Sequence, residues 1–184
     1  MRNIFGTFLL LAAFALPAHA DDPAAGFIIQ LFSKACIESS AEPNKVKAYA
    51  KTLNLYEVDD AAALDVFVGK GEGGAAWVAG TEVGKFVLSI RAKTKACAVW
   101  AEAADPAEVE DKYKAIMKGV MRPGMSVTVF NDKYETSPYG EAHNLTYRVA
   151  PEGSKQGFLF TLQTTQKSGG PFQISLQQAV FTEK

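Results

Sequence analysis

The stretch KFVLSIRAKTKACAVWAEAADPAEVEDKYKAIMKGV, residues 85–120, changes its hydrophobic period partway along, and that change decides the fold class. Over 85–92 the period is two: Phe86, Leu88 and Ile90 point one way, and Val87, Ser89 and Arg91 the other, as on a half-buried strand. Lys93, Thr94 and Lys95 make a short polar turn, and 96–102 returns as a second strand with Cys97, Val99 and Ala101 on one face and Trp100 on the other. Asp105-Pro106-Ala107-Glu108 then has the form of a helix start. It places an acid at the N-cap, proline at the first helical position and glutamate at the third, like a capping box. Val109, Tyr113, Ile116, Met117 and Val120 follow at helical spacing, and Glu108/Lys112 and Glu110/Lys114 are i,i+4 pairs on the outer side. Arg122-Pro123-Gly124 ends the helix, which spans about 106–120.

Upstream of this stretch the chain reads as helical. Phe27, Ile28, Leu31, Phe32, Ala35 and Cys36 form one apolar face. A second helix starts at Pro43, with Val46, Tyr49, Ala50 and Leu53 inside. A short third helix, capped by Asp59 or Asp60, turns Leu64, Phe67 and Val68 inward. Glycine-rich residues 69–74 end that part, and 75–79, carrying Trp77, begins the strands. Downstream, turn residues near 138–140, 151–153 and 168–171 divide the chain into four strands, about 125–135, 142–149, 157–166 and 172–182. The expectation is a single α+β domain over 21–184: helices first, then an antiparallel sheet of about seven strands in the order β-β-β-α-β-β-β-β, with the long helix packed across it.

The N-terminus reads as a secretory signal peptide over residues 1–20. Arg2 gives a basic start, residues 4–16 are mainly apolar, and Ala18 and Ala20 frame a signal peptidase site before Asp21. An apolar run of about 13 residues is too short for a spanning helix, which needs roughly 20. No cysteine stands at the cleavage site to accept a lipid, and no later run is long and apolar, so the processed chain is expected to stay out of the bilayer, in the periplasm or the medium. Processing leaves 18 basic residues against 20 acidic ones, a balance that offers nucleic acid no attraction. In an oxidising compartment the two cysteines, Cys36 and Cys97, most simply form one disulfide, closing a loop of about 60 residues at roughly 4 kcal/mol. The alternative, two free or metal-binding thiols, has only His143 to complete a zinc set, so no metal or other cofactor is expected.

Catalytic signals are sparse. The run Gly69-Lys70-Gly71-Glu72-Gly73-Gly74 offers backbone N–H groups and Lys70 to an anion, but it lacks the G-K-[ST] of a phosphate loop and reads first as a connector. His143 is the one histidine past the leader. It lies at a strand start near Glu141 and reads first as a strand-end surface residue. Asp59, Asp60, Glu72, Glu102 and Asp105 are available for two-carboxylate hydrolysis, yet each has an ordinary role as cap, loop or strand end. The last two strands offer a polar, nearly uncharged face of Thr161, Gln163, Thr165, Gln173, Ser175 and Gln177. Phe158, Phe160, Leu162, Phe172, Ile174 and Leu176 are expected opposite. Such a face hydrogen-bonds a sugar or peptide without a charge penalty. Lys70, Glu72, His143, Gln163, Gln173 and Gln177 are the candidate contact residues, and no catalytic residue is assigned.

Gly73-Gly74-Ala75-Ala76-Trp77, with Phe86-Val87-Leu88-Ser89-Ile90 and Cys97-Ala98-Val99-Trp100, resembles a family of uncharacterised exported proteins and lipoproteins of proteobacteria over roughly residues 25–130. The resemblance implies a Gram-negative envelope setting and assigns no activity. The leading functional expectation is a non-catalytic exported binding or accessory protein. The alternatives are an envelope hydrolase using carboxylates or His143, and a secreted protein acting on another protein.

Overall fold

The computed structural model describes residues 21–137, 139–166 and 170–183. The expected leader, residues 1–20, therefore lies outside the described residues. Helices α1 (Pro23–Phe32), α2 (Pro43–Thr52), α3 (Ala61–Val68) and α4 (Pro106–Val120) accompany one antiparallel sheet. Its strands are β1 (Tyr56–Glu57), β2 (Gly74–Thr81), β3 (Gly84–Arg91), β4 (Ala96–Ala101), β5 (Met125–Ser137), β6 (Gly140–Pro151), β7 (Gln156–Thr165) and β8 (Ile174–Thr182). The class is the α+β expected. The strands number eight rather than about seven because Tyr56 and Glu57 pair with β2.

The strand order is β1-β2-β3-β4-β8-β7-β6-β5. Two meanders are therefore joined by their last strands, with β8 against β4. Helix α4 crosses the sheet between them, so the second meander starts at the far edge and folds back until β8 closes the gap.

One face carries the main core. Phe86, Leu88, Ile90, Cys97, Val99, Leu145, Phe160, Leu162, Ile174 and Leu176 meet buried residues of α1, α2 and α4 there. After α1 the chain continues as a π-helical turn, Ser33–Ile37, that carries Cys36 inward. Cys36 and Cys97 are bonded, with Cα atoms 5.4 Å apart and a sequence separation of 61. The bridge pins α1 to the middle of the sheet, as the hydrophobic pattern implied. Tyr113 of α4 is fully buried and donates its hydroxyl to the Phe160 carbonyl at 2.7 Å. Leu53, expected inside, is 41% exposed, because α2 ends at Thr52 and the chain turns away.

The helix starts are coupled in a way the capping pattern only half showed. Asp105 accepts from the Glu108 N–H at 2.9 Å, as expected of an N-cap. The Glu108 carboxylate, however, takes the Asp22 N–H at 2.7 Å, and Asp22, the cap of α1, takes the Asp105 N–H at 2.6 Å. The reciprocal half of the box is thus exchanged between two helices.

The opposite face holds a smaller cluster under α3. Val68, Ala76 and Val87 are buried there, with Leu64, Phe67, Trp100 and Phe172 against them. Phe172 was expected on the main-core face with Ile174 and Leu176. It lies instead against Phe67 and Trp100, with ring centroids 5.4 and 5.9 Å away, because β8 begins at Ile174 and the residues before it do not follow strand alternation.

Candidate functional site

The expected contact residues fall in three places. Lys70 and Glu72 lie in the glycine turn between α3 and β2. That turn is tied down by its own backbone: Gly73 and Glu72 carbonyls accept from Ala92 and Lys93, and Glu72 donates to Gly69. Gly74 stands at φ +138°, and a Cβ there would meet the Ile90 carbonyl oxygen at 1.9 Å. The glycines permit a close chain crossing, and the Glu72 carboxylate inside the turn disfavours an anion.

His143 forms the second place, and its reading as a surface residue is corrected. It is 6% exposed. Its Nδ1 lies 2.9 Å from Glu110 Oε2 on α4, and its Nε2 lies 2.8 Å from Asp132 Oδ1 on β5. Tyr134, its cross-strand partner, stacks on the ring at 4.2 Å and 4°. Glu110 also binds Lys114 at 2.6 Å. Burial pushes the imidazole pKa down, but the hydrogen bonds and charges of Asp132 and Glu110 outweigh it and hold the pKa above its ordinary value. Burial likewise pushes the Glu110 pKa up, and Lys114 and His143 reverse that to a net lowering. Below pH 6.5 the ring is therefore an imidazolium donating to both carboxylates. Glu141, the acid foreseen beside it, is exposed and is not its partner. Sequence offered no route to these partners, because Glu110 comes from another element and Asp132 is a diagonal neighbour across the hairpin.

With both ring nitrogens engaged, His143 has none left to take a proton from a nucleophile. Three of the other acids foreseen have structural work: Asp60 caps α3, Asp105 caps α4, and Glu102 pairs with Lys85 at 3.5 Å. Among the described residues no group of three or more His, Cys, Asp or Glu is arranged to hold a metal ion. None of the described helices is long and apolar enough to cross a membrane.

The third place is a cleft of about 280 Å³ on the α3 face of the sheet. Trp100, Gln163 and Ser175 form its floor from β4, β7 and β8; Val66 of α3 stands on one side and Ser137 and Tyr139 of the β5–β6 hairpin on the other. Phe172 and Gln173 close the end. Gln163 is thus where the alternation placed it; Gln173, before the start of β8, lines the cleft beside Phe172 rather than opposite it, and Gln177 lies outside the cleft. Some polar atoms are already used. The Trp100 indole donates to Ser89 at 3.4 Å, and Gln173 Oε1 accepts from the Ala104 N–H at 3.4 Å. The Gln163 amide, the Ser175 hydroxyl and the Tyr139 hydroxyl make no hydrogen bond to the described residues. No carboxylate, ammonium or guanidinium group of the described residues lines the cleft. Reasoning from sequence missed Val66, Ser137 and Tyr139, which come from a helix and a hairpin tip.

Fold and site together define a disulfide-tied α+β protein with a small, uncharged, aromatic-walled cleft. No known protein family matches the chain, and no curated protein is significantly similar to it.

Proposed function

We propose that this chain is an exported, non-catalytic binding protein whose cleft takes a small neutral ligand with one flat apolar face and several hydroxyls, as a sugar has. The lining of the cleft carries the reading. Aromatic rings of Trp100, Phe172 and Tyr139 offer apolar contact, while Gln163 and Ser175 offer donors and acceptors together. A charged ligand would lose water there without gaining a counter-charge, which is costly. The volume is near the lower end of ligand pockets, about 300–1,000 Å³, and suits one or two sugar rings. Export is supported by the leader-like N-terminus and the bonded cysteines, and the resemblance to exported proteobacterial proteins points the same way.

The test is a panel of neutral mono- and disaccharides with acidic and amino sugars as controls, read by thermal shift and tryptophan fluorescence. Trp77 is buried in the main core, so a ligand-dependent change reports Trp100. Neutral sugars are expected to bind, and Gln163→Ala to weaken them about fivefold or more with the melting temperature unchanged. Absence of binding by every neutral sugar, or tighter binding of charged ones indifferent to Gln163→Ala, refutes the proposal.

A further inference from the structure

The two edges of the sheet differ. One is β1, only two residues long. The other is β5, thirteen residues long and paired on one side only, with β6. A strand in this position presents a row of unpaired N–H and C=O groups to solvent. Its side chains do little to cover it: Val129, Phe130 and Tyr134 are 56, 66 and 61% exposed. Met121 and Tyr139, just before and just after the strand, are also exposed. A bulge at Phe130 interrupts the first half, leaving 131–137 in regular register with β6.

We infer that residues 131–137 of β5 pair antiparallel with the same segment of a second copy, on a two-fold axis through Tyr134, joining two sheets into one. The register follows from symmetry and charge. A two-fold axis normal to the sheet keeps each side chain on its own face, so it passes through a residue and opposes residues equidistant from it. Centred on Asp132, Lys133 or Glu135, it sets like charges against each other. Centred on Tyr134, it sets Lys133 opposite Glu135 twice, Asp132 opposite Thr136, and Asn131 opposite Ser137. Lys133 makes no ion pair with the described residues, and Glu135 holds only a long contact, 3.4 Å, from Asn144. Both are thus available to the partner. The two Tyr134 rings, each already backed by His143, meet on the α4 face and cover each other.

Sedimentation of the purified chain over a concentration series tests this. The wild type is expected to dimerise reversibly. Lys133→Glu and Glu135→Lys each turn two attractive contacts into two repulsive ones and are expected to weaken the dimer about tenfold. The double variant K133E/E135K restores the opposition and is expected to regain wild-type affinity. Both side chains are on the exposed edge, so circular dichroism should show all three variants folded. Tyr134→Cys supplies a second readout. The described residues contain no free cysteine, and cross-axis Cα atoms about 4.5–5.5 Å apart suit a disulfide, so mild oxidation should give a covalent dimer. A monomer at every concentration overturns the inference. So does a dimer indifferent to single charge reversal, or one that the double variant fails to restore.

Discussion

Replacing His143 by glutamine removes the one described group that holds α4, β5 and β6 together by charge. The imidazolium donates to Glu110 and Asp132, whereas glutamine donates to one carboxylate without charge. A hydrogen bond to a charged partner contributes roughly 1.5–3 kcal/mol net. The Asp132 side chain is 57% exposed, so its share is small, about 0.5 kcal/mol or less. Glu110 is only 20% exposed but keeps Lys114, so its loss is about 1 kcal/mol. The lost stack on Tyr134 adds about 0.5 kcal/mol. The sum is about 2 kcal/mol at pH 6, or roughly 4–8 °C in melting temperature for a chain of this size.

The pH dependence separates this account from loss of packing. The folded-state pKa of His143 lies above its ordinary 6.5, so its contribution is complete below that pH and is lost as pH rises through the folded value. Glu110 lies below its ordinary 4.5, so its contribution is complete above that pH and is lost as pH falls through its own folded value. The clamp is therefore at full strength between about pH 4.5 and 6.5. Urea unfolding of both proteins at pH 6 and 9 is the assay. The gap should shrink from about 2 to below about 1 kcal/mol, because a neutral imidazole donates to one acid and turns a lone pair toward the other. A gap that is constant, or wider at pH 9, refutes the ion-pair reading.

Other expectations follow from single contacts. Replacing Cys36 and Cys97 by serine frees a 61-residue separation and should cost about 4 kcal/mol, measured by urea unfolding against the oxidised wild type. Tyr113→Phe leaves the buried Phe160 carbonyl without that donor; it should cost about 1–2 kcal/mol in the same assay, with no change in ligand binding. Gly74→Ala forces a methyl against the Ile90 carbonyl at a positive φ; the β2–β3 register must shift, and a loss of about 2 kcal/mol or more should appear as a lower melting temperature.

Local chemistry decided the elements. The capped helix 106–120, the hairpin around Lys93 to Lys95 and the inward set Phe86, Leu88 and Ile90 needed only the two periods and a proline after an acid. The alternation of β7 also put Gln163 on the face that became the cleft. Where alternation lapsed, at Phe172 just before β8, the reading put the ring on the wrong face.

Tertiary structure alone decided which strands meet. Periodicity gives each strand an inner face but not a neighbour, so it could not show β8 against β4 or β5 at an open edge. It could not bring Val66 and Tyr139 to one cleft, because they come from a helix and a hairpin distant in sequence. His143 shows the difference most sharply. Its residue type and strand position suggest an exposed end, and its burial and proton are set by Glu110 and Asp132, which only the packing of α4 and the pairing of β5 carry to its two nitrogens. Side-chain period is a local property of the backbone, whereas contact between distant charges depends on how whole elements pack.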